Sequence, residues 1–259
     1  MKRFVLACLI GTAGAFAHAG IVDRTVDYSD GEAVLEGKLF FDNEVEGKQP
    51  TVVIFHQWGG PSPHEEDVAR RLVEEGYAAF VADVYGKGVR PTTVDEKKAQ
   101  ATKYRSDRAL QRSRANAAVT AARAQAEVDA ENVVAIGYCF GGGTALELAR
   151  SGSDVDGVVS FHGNLDTPNA ADAKNIKTSV LVLHGANDPY VPAEQVTAFE
   201  QEMREAGVDW RLISFGGAVH SFTDKGAGND PSQGAAYNEK ADNRSWEYLQ
   251  DFLEEAVDL

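Results

Sequence analysis

A cysteine stands where a strand should turn sharply into a helix. Gly137-Tyr138-Cys139-Phe140-Gly141 follows directly on the apolar run Val133-Val134-Ala135-Ile136, and Gly142 to Arg150 reads as a helix. The β-branched run has the character of a buried parallel strand. Glycines two residues before and two after the cysteine fit a turn too tight for side chains at those points, which is the nucleophile-elbow pattern with sulfur in place of a hydroxyl. Such a turn lifts Cys139 above the sheet edge and sets its sulfur at a helix N-terminus, where the dipole favours thiolate. The competing reading is a buried, inert cysteine beside a Gly-rich turn.

A nucleophilic thiol needs a base and a group to orient that base. Ser179 to His184 reads as another buried strand, and it runs through Gly185 into Ala186-Asn187-Asp188-Pro189. Asp188 therefore falls just past the carboxyl end of a strand, where open α/β sheets place their sites. After the strand Trp210 to Phe215 comes Gly216-Gly217-Ala218-Val219-His220, again a loop past a strand end. Alone, an Asp in a D-P turn is a turn former and a His is an ordinary surface or core residue. Together, Cys139, Asp188 and His220 keep the order nucleophile, acid, histidine expected of the α/β-hydrolase fold. Earlier, the strand Thr51 to Phe55 opens into His56-Gln57-Trp58-Gly59-Gly60-Pro61. In that fold this loop and the residue after the nucleophile each donate a backbone N–H to an oxyanion, so Trp58 and Phe140 are the candidates. Each such donor is worth about 3 kcal/mol at comparable sites.

These residues resemble the dienelactone hydrolase family of α/β-hydrolases. The resemblance covers nearly the whole chain after the first 19 residues: an opening hairpin, the G-x-C-x-G elbow, His-Gly-x-x-Asp-Pro at 184–189, and His220-Ser221-Phe222. It implies hydrolysis of a carboxylic ester or lactone through a thioester on Cys139. The chain also departs from the family. Family members typically carry a glutamate in the oxyanion loop that helps generate the thiolate, and the matching residue here is Gln57, which cannot accept a proton. Dienelactone-cleaving members hold a substrate carboxylate with two arginines. The first follows a tyrosine, here Tyr85, by two residues, which makes the match Lys87; the second match is Asp224. The resemblance thus points to Gln57, Tyr85 and Lys87 as substrate-binding positions. Lysine is a poor bidentate partner and aspartate repels a carboxylate, so a strong anion clamp is not expected and neutral esters or lactones are. Arg90 is the nearest alternative source of a clamp. A thioesterase or peptidase on the same triad, or a catalytically weak binding protein, are the other readings.

The first 19 residues have the make-up of a secretory signal peptide: Lys2 and Arg3, an apolar core from Phe4 to Ile10, and Ala17-His18-Ala19 as the cleavage site. Cleavage there implies an exported protein, periplasmic or secreted. It removes Cys8, leaves Cys139 as the one cysteine, and takes the formal charge from −15 to −17. An unpaired thiol in an oxidising compartment is a liability unless it has a function. The acidic balance argues against nucleic acid or anionic lipid as partners. The expectation is a monomer acting on a small-molecule ester or lactone, without cofactor, metal or membrane contact after processing. No H-x-x-x-H or H-x-H spacing suggests a metal site, and the glycines at 141–143 lack the Lys-Ser/Thr of a phosphate cradle.

The remaining pattern must position these groups. Val22 to Tyr28 and Ala33 to Phe41 alternate around a Ser-Asp-Gly-Glu turn as an edge hairpin. Beyond Thr51, strands at 51–55, 78–83, 133–137, 157–161, 179–184 and 210–215 alternate with helices at 65–75, 94–128, 142–150, 193–206 and 238–256. This predicts an α/β-hydrolase fold, a mostly parallel sheet covered on both faces, as one domain over 20–259. The run 94–128, free of Gly and Pro, reads as one long or broken helix whose basic residues form a solvated face. His162 ends a strand but lies between nucleophile and acid in order, so it reads as structural. His56 falls in the oxyanion loop and is a candidate pocket-lining residue. Lys225 to Ala236 reads as a loop bordering the site.

Overall fold

Ten-residue strands β1 (Ile21–Asp30) and β2 (Ala33–Asp42) open the fold in the computed structural model, which describes residues 20–257. The signal-peptide expectation lies outside the described residues. Gly31 makes the hairpin turn at φ 59°, in the left-handed region where only glycine is unstrained. The chain then alternates β3 (Gln49–Phe55), α1 (Pro63–Glu74), β4 (Ala78–Ala82), α2 (Val94–Ser106), α3 (Arg108–Arg123), β5 (Val128–Tyr138), α4 (Phe140–Arg150), β6 (Gly157–Phe161), β7 (Ser179–Gly185), α5 (Ala193–Ala206), β8 (Trp210–Phe215) and α6 (Glu239–Ala256). All eight strands form one sheet in the order β1-β2-β4-β3-β5-β6-β7-β8. β1–β2 and β2–β4 pair antiparallel; every pairing from β4 to β8 is parallel. This is the α/β-hydrolase arrangement anticipated above.

Alternate residues of each central strand pack to opposite faces. Val53, Phe55, Val133 and Ala135 belong to one apolar layer with α2 to α5; Val52, Ile54, Val134 and Ile136 belong to the other with α1 and α6. That two-sided burial is why the strands read as continuous apolar runs. α4 is buried along its whole length, including Arg150, which forms a bidentate pair with Glu202 (2.8 Å for each bond) and a bond to Glu147 (3.0 Å). A buried guanidinium is tolerable only when its donors are taken in this way.

The 94–128 run takes the broken form, as two helices separated at Asp107, and its helical part ends at Arg123, before β5 begins at Val128. Asp107 caps α3 by accepting the Leu110 N–H at 3.0 Å, the cap geometry that makes Asp a helix starter. The basic residues of the run are not simply a solvated face. Arg108 pairs with Asp166, Arg112 with Glu147 and Asp172, and Arg114, itself buried, with Asp30.

Candidate active site

Cys139 sits at φ 55°, ψ −114°, a strained conformation for a residue with a side chain. Gly137 and Gly141 make the turn possible. A Cβ on Gly137 would collide with the Gly141 carbonyl, and one on Gly141 with the Phe55 carbonyl of β3. The Cys139 N–H is held by the Phe161 carbonyl (3.0 Å) and by His162 Nδ1 (3.2 Å). His162 therefore carries its proton on Nε2, where it donates to Thr223 Oγ1 at 2.9 Å. Burial keeps this imidazole neutral by lowering its pKa well below the usual value. His162 is thus part of the frame, as its place in the order suggested.

The Asp188 carboxylate is buried at the end of β7. Its Oδ1 accepts the Tyr190 N–H at 2.8 Å, and its Oδ2 lies 2.7 Å from His220 Nδ1. The proton on that bond leaves Nε2 of His220 for Cys139. Burial alone would lower the His220 pKa, but the Cys139 charge and the Asp188 bond outweigh it and push the value up to about 10. For Cys139 burial works the other way, towards a higher value; the charge and hydrogen bond of His220 overcome it, and the thiol pKa falls. Cys139 and His220 therefore each favour the other's charged form. The loop after His220 is stitched to it: the His220 N–H reaches the Gly234 carbonyl at 3.2 Å and the Ala236 N–H returns to the His220 carbonyl at 3.0 Å.

The loop after β3 is fixed from below. His56 is fully buried; its Nδ1 donates to the Gln57 carbonyl at 2.6 Å and its Nε2 accepts from the Val84 N–H at 3.2 Å. Only the neutral Nδ1–H tautomer satisfies both, so His56 braces this loop rather than lining the cavity. Glu65, also fully buried, accepts the Gln57 N–H (3.0 Å) and the Ser62 N–H (3.0 Å) and so ties the loop to α1. The spacing Ser62-x-x-Glu65 is a capping box, a signal already present in the sequence. Tyr85 OH donates to the Trp58 carbonyl at 3.0 Å. Among the described residues the Trp58 N–H donates to no protein acceptor. The Phe140 N–H, next in the chain to Cys139, adds a small further lowering of the thiol pKa.

A cavity of about 260 Å³ opens over Cys139, lined by His220, Ser221, Trp58, Tyr190, Ala101 and Arg105 among others. Trp58 and Tyr190 keep 37% and 58% of their surface exposed, so an aromatic wall faces any entering molecule. Of the three positions singled out for substrate binding, none lines this cavity. Tyr85 lies beneath the oxyanion loop. Gln57 Nε2 donates to Asp224 Oδ2 at 3.0 Å, away from the thiol. Lys87 points outward to Asp27 (2.6 Å) and Glu36 (3.3 Å), and Arg90 lies near Glu36 and Asp83. The cation that does line the cavity is Arg105 on α2. Nothing in the local sequence distinguishes it from its basic neighbours.

A model of the dienelactone hydrolase family matches residues 35–257. The chain belongs to the dienelactone hydrolase family. A crystal structure of the dienelactone hydrolase-like promiscuous phosphotriesterase P91 from metagenomic libraries superimposes with a TM-score of 0.88 at 42% identity, over 92% of this chain and 99% of that one. A second solved structure, m3DLH, gives 0.89 at 39% identity, over 93% and 100% of the two chains. Among curated relatives, a probable 2-oxo-3-(5-oxofuran-2-ylidene)propanoate lactonase of Bradyrhizobium is 27% identical over 188 residues, 69% of this chain and 75% of its own length. An uncharacterized protein of Caenorhabditis elegans is 39% identical over 146 residues, 55% of this chain and 92% of its own. As a member of this family the protein is a hydrolase.

Proposed function

We propose that this dienelactone hydrolase-family protein cleaves a small, neutral or aryl carboxylic ester or lactone through a thioester on Cys139. The observation that carries the reading is the 2.7 Å bond between His220 Nδ1 and Asp188 Oδ2, with His220 on the wall of the same cavity as Cys139. The thiolate attacks the carbonyl carbon, and the electron pair moves to oxygen, where the Trp58 and Phe140 N–H groups receive the charge. Collapse breaks the C–O bond; His220 gives its proton to the departing alkoxide and is left neutral. Water then attacks the thioester, losing a proton to His220, and the second collapse expels the thiolate beside the restored imidazolium. Asp188 keeps the imidazole in the tautomer that serves both halves.

Thioesters fit the same chemistry. A peptidase is less well supported, because a cavity of about 260 Å³ suits a small acyl group. A specific second reading comes from P91, described as a promiscuous phosphotriesterase at 42% identity. An activated phosphotriester would present phosphorus to the same thiolate. A stopped-flow burst equal to the enzyme concentration with an activated aryl ester tests the ester reading. Slow linear release with no burst and no saturation would reduce the protein to a binding fold.

A further inference from the structure

Gln57 in the oxyanion loop cannot accept a proton and is turned towards Asp224. Besides His220, a second cation stands on the cavity wall. Arg105 and Ala101, one turn apart on α2, both line the Cys139 cavity. The turn that carries Arg105 is anchored: the fully buried Tyr104 donates to the Tyr85 carbonyl at 3.0 Å, and Tyr85 donates to the Trp58 carbonyl at 3.0 Å. Arg108, Arg112 and Arg114, just beyond, are each paired with carboxylates. Among the described residues Arg105 forms no such pair, in a chain of formal charge −15 with many carboxylates to offer. An unneutralised guanidinium on the wall of a thiol-bearing cavity is an electrostatic feature of that cavity.

We propose that Arg105 is a positioning residue of this site, whose uncompensated charge on the cavity wall stabilises the Cys139 thiolate alongside His220. The proposal rests on Cys139 being the nucleophile. Other titratable or charged neighbours face Cys139 from the surrounding elements. They are His220 from the loop after β8, Tyr85 from the loop after β4 and His162 from the end of β6, with Tyr190 on the same cavity wall. Of these, His220 and Arg105 carry positive charge, and both act on the thiol in the same direction. Arg105 is exposed, so its influence is screened by salt, whereas that of the buried His220 is not.

Alkylation by iodoacetamide, a neutral reagent, reads the thiolate fraction directly and does not require catalysis. Its rate against pH should be measured for the whole protein and for Arg105→Gln and Arg105→Lys, at low and high salt. Arg105→Gln should raise the midpoint by about half a pH unit, making alkylation about 3-fold slower below it. Arg105→Lys should restore most of the shift, and salt should move the parent protein towards Arg105→Gln. An unchanged midpoint in folded Arg105→Gln overturns the proposal. So does an unchanged midpoint with lower kcat/KM for carboxylate-bearing esters alone, which would make Arg105 a substrate contact. Full ester turnover by folded Cys139→Ala would instead remove the nucleophile assignment, leaving the alkylation result to stand separately.

Discussion

Gln57 Nε2 donates a hydrogen bond to Asp224 Oδ2 at 3.0 Å, across 167 positions of sequence. Both residues mark departures from the family pattern, and the structure makes them partners. The amide offers a donor to a carboxylate, a bond worth about 1.5–3 kcal/mol when one partner is charged. A glutamate at position 57 would set two carboxylates against each other, and one would have to bind a proton.

Gln57→Glu alone should therefore lower the melting temperature at pH 8 more than at pH 5, because protonation relieves the repulsion as pH falls. Adding Asp224→Asn reverses the polarity of the bond and should recover most of the loss. Thermal unfolding of the single and double variants at both pH values checks this. A single variant as stable as the parent at pH 8 would show that the bond contributes nothing.

The pH profile of kcat/KM should be bell-shaped. On the acid side activity falls as the Cys139 thiolate is protonated, with a midpoint below the thiol's ordinary 9.0 because His220 holds its charge. On the alkaline side activity falls near the His220 value of about 10, as the proton destined for the leaving group is lost. A single ascending limb centred on an ordinary thiol pKa would contradict the ion pair.

His162 should matter for stability. It accepts the Cys139 N–H and donates to Thr223 Oγ1, both buried, so His162→Phe leaves the Thr223 hydroxyl without its partner. The expected cost is about 1–3 kcal/mol, which corresponds to a melting-temperature drop of roughly 2–12 °C for a chain of this size. Calorimetry measures it, and an unchanged midpoint would show that the bonds are replaceable.

The sequence carried the parts of this fold that depend on local pattern. Buried parallel strands announce themselves as apolar runs, and the elbow glycines announce the collisions they avoid, so Cys139, Asp188 and His220 could be ordered before any contact was known. The parts that escaped depend on direction. Lys87 was placed by its spacing from Tyr85, yet the turn at Gly86, with φ 125°, sends the chain so that Lys87 meets Asp27 and Glu36. Arg105 sits in a basic run where the residue set at the cavity's edge follows from the docking of Tyr104 beside it. Whether the 94–128 run breaks stayed open in the sequence, because Asp107 is a capping residue with no Gly or Pro beside it.

Export is a matter for the expressed protein. If residues 1–19 are a signal peptide, protein secreted by the native host should begin at Gly20 and contain Cys139 as its one cysteine. Intact mass and N-terminal sequencing decide it; a secreted chain that keeps Met1 would contradict the leader.

The most direct test of the account is to trap the acyl-enzyme. Mixing the protein with a stoichiometric activated aryl ester and quenching in acid within milliseconds should yield one acyl adduct, mapped by peptide mass spectrometry to Cys139. The adduct should be absent from folded Cys139→Ala, whose kcat should fall by about 10³-fold or more. Substantial turnover by that variant, or an adduct on another residue, would contradict the thioester mechanism.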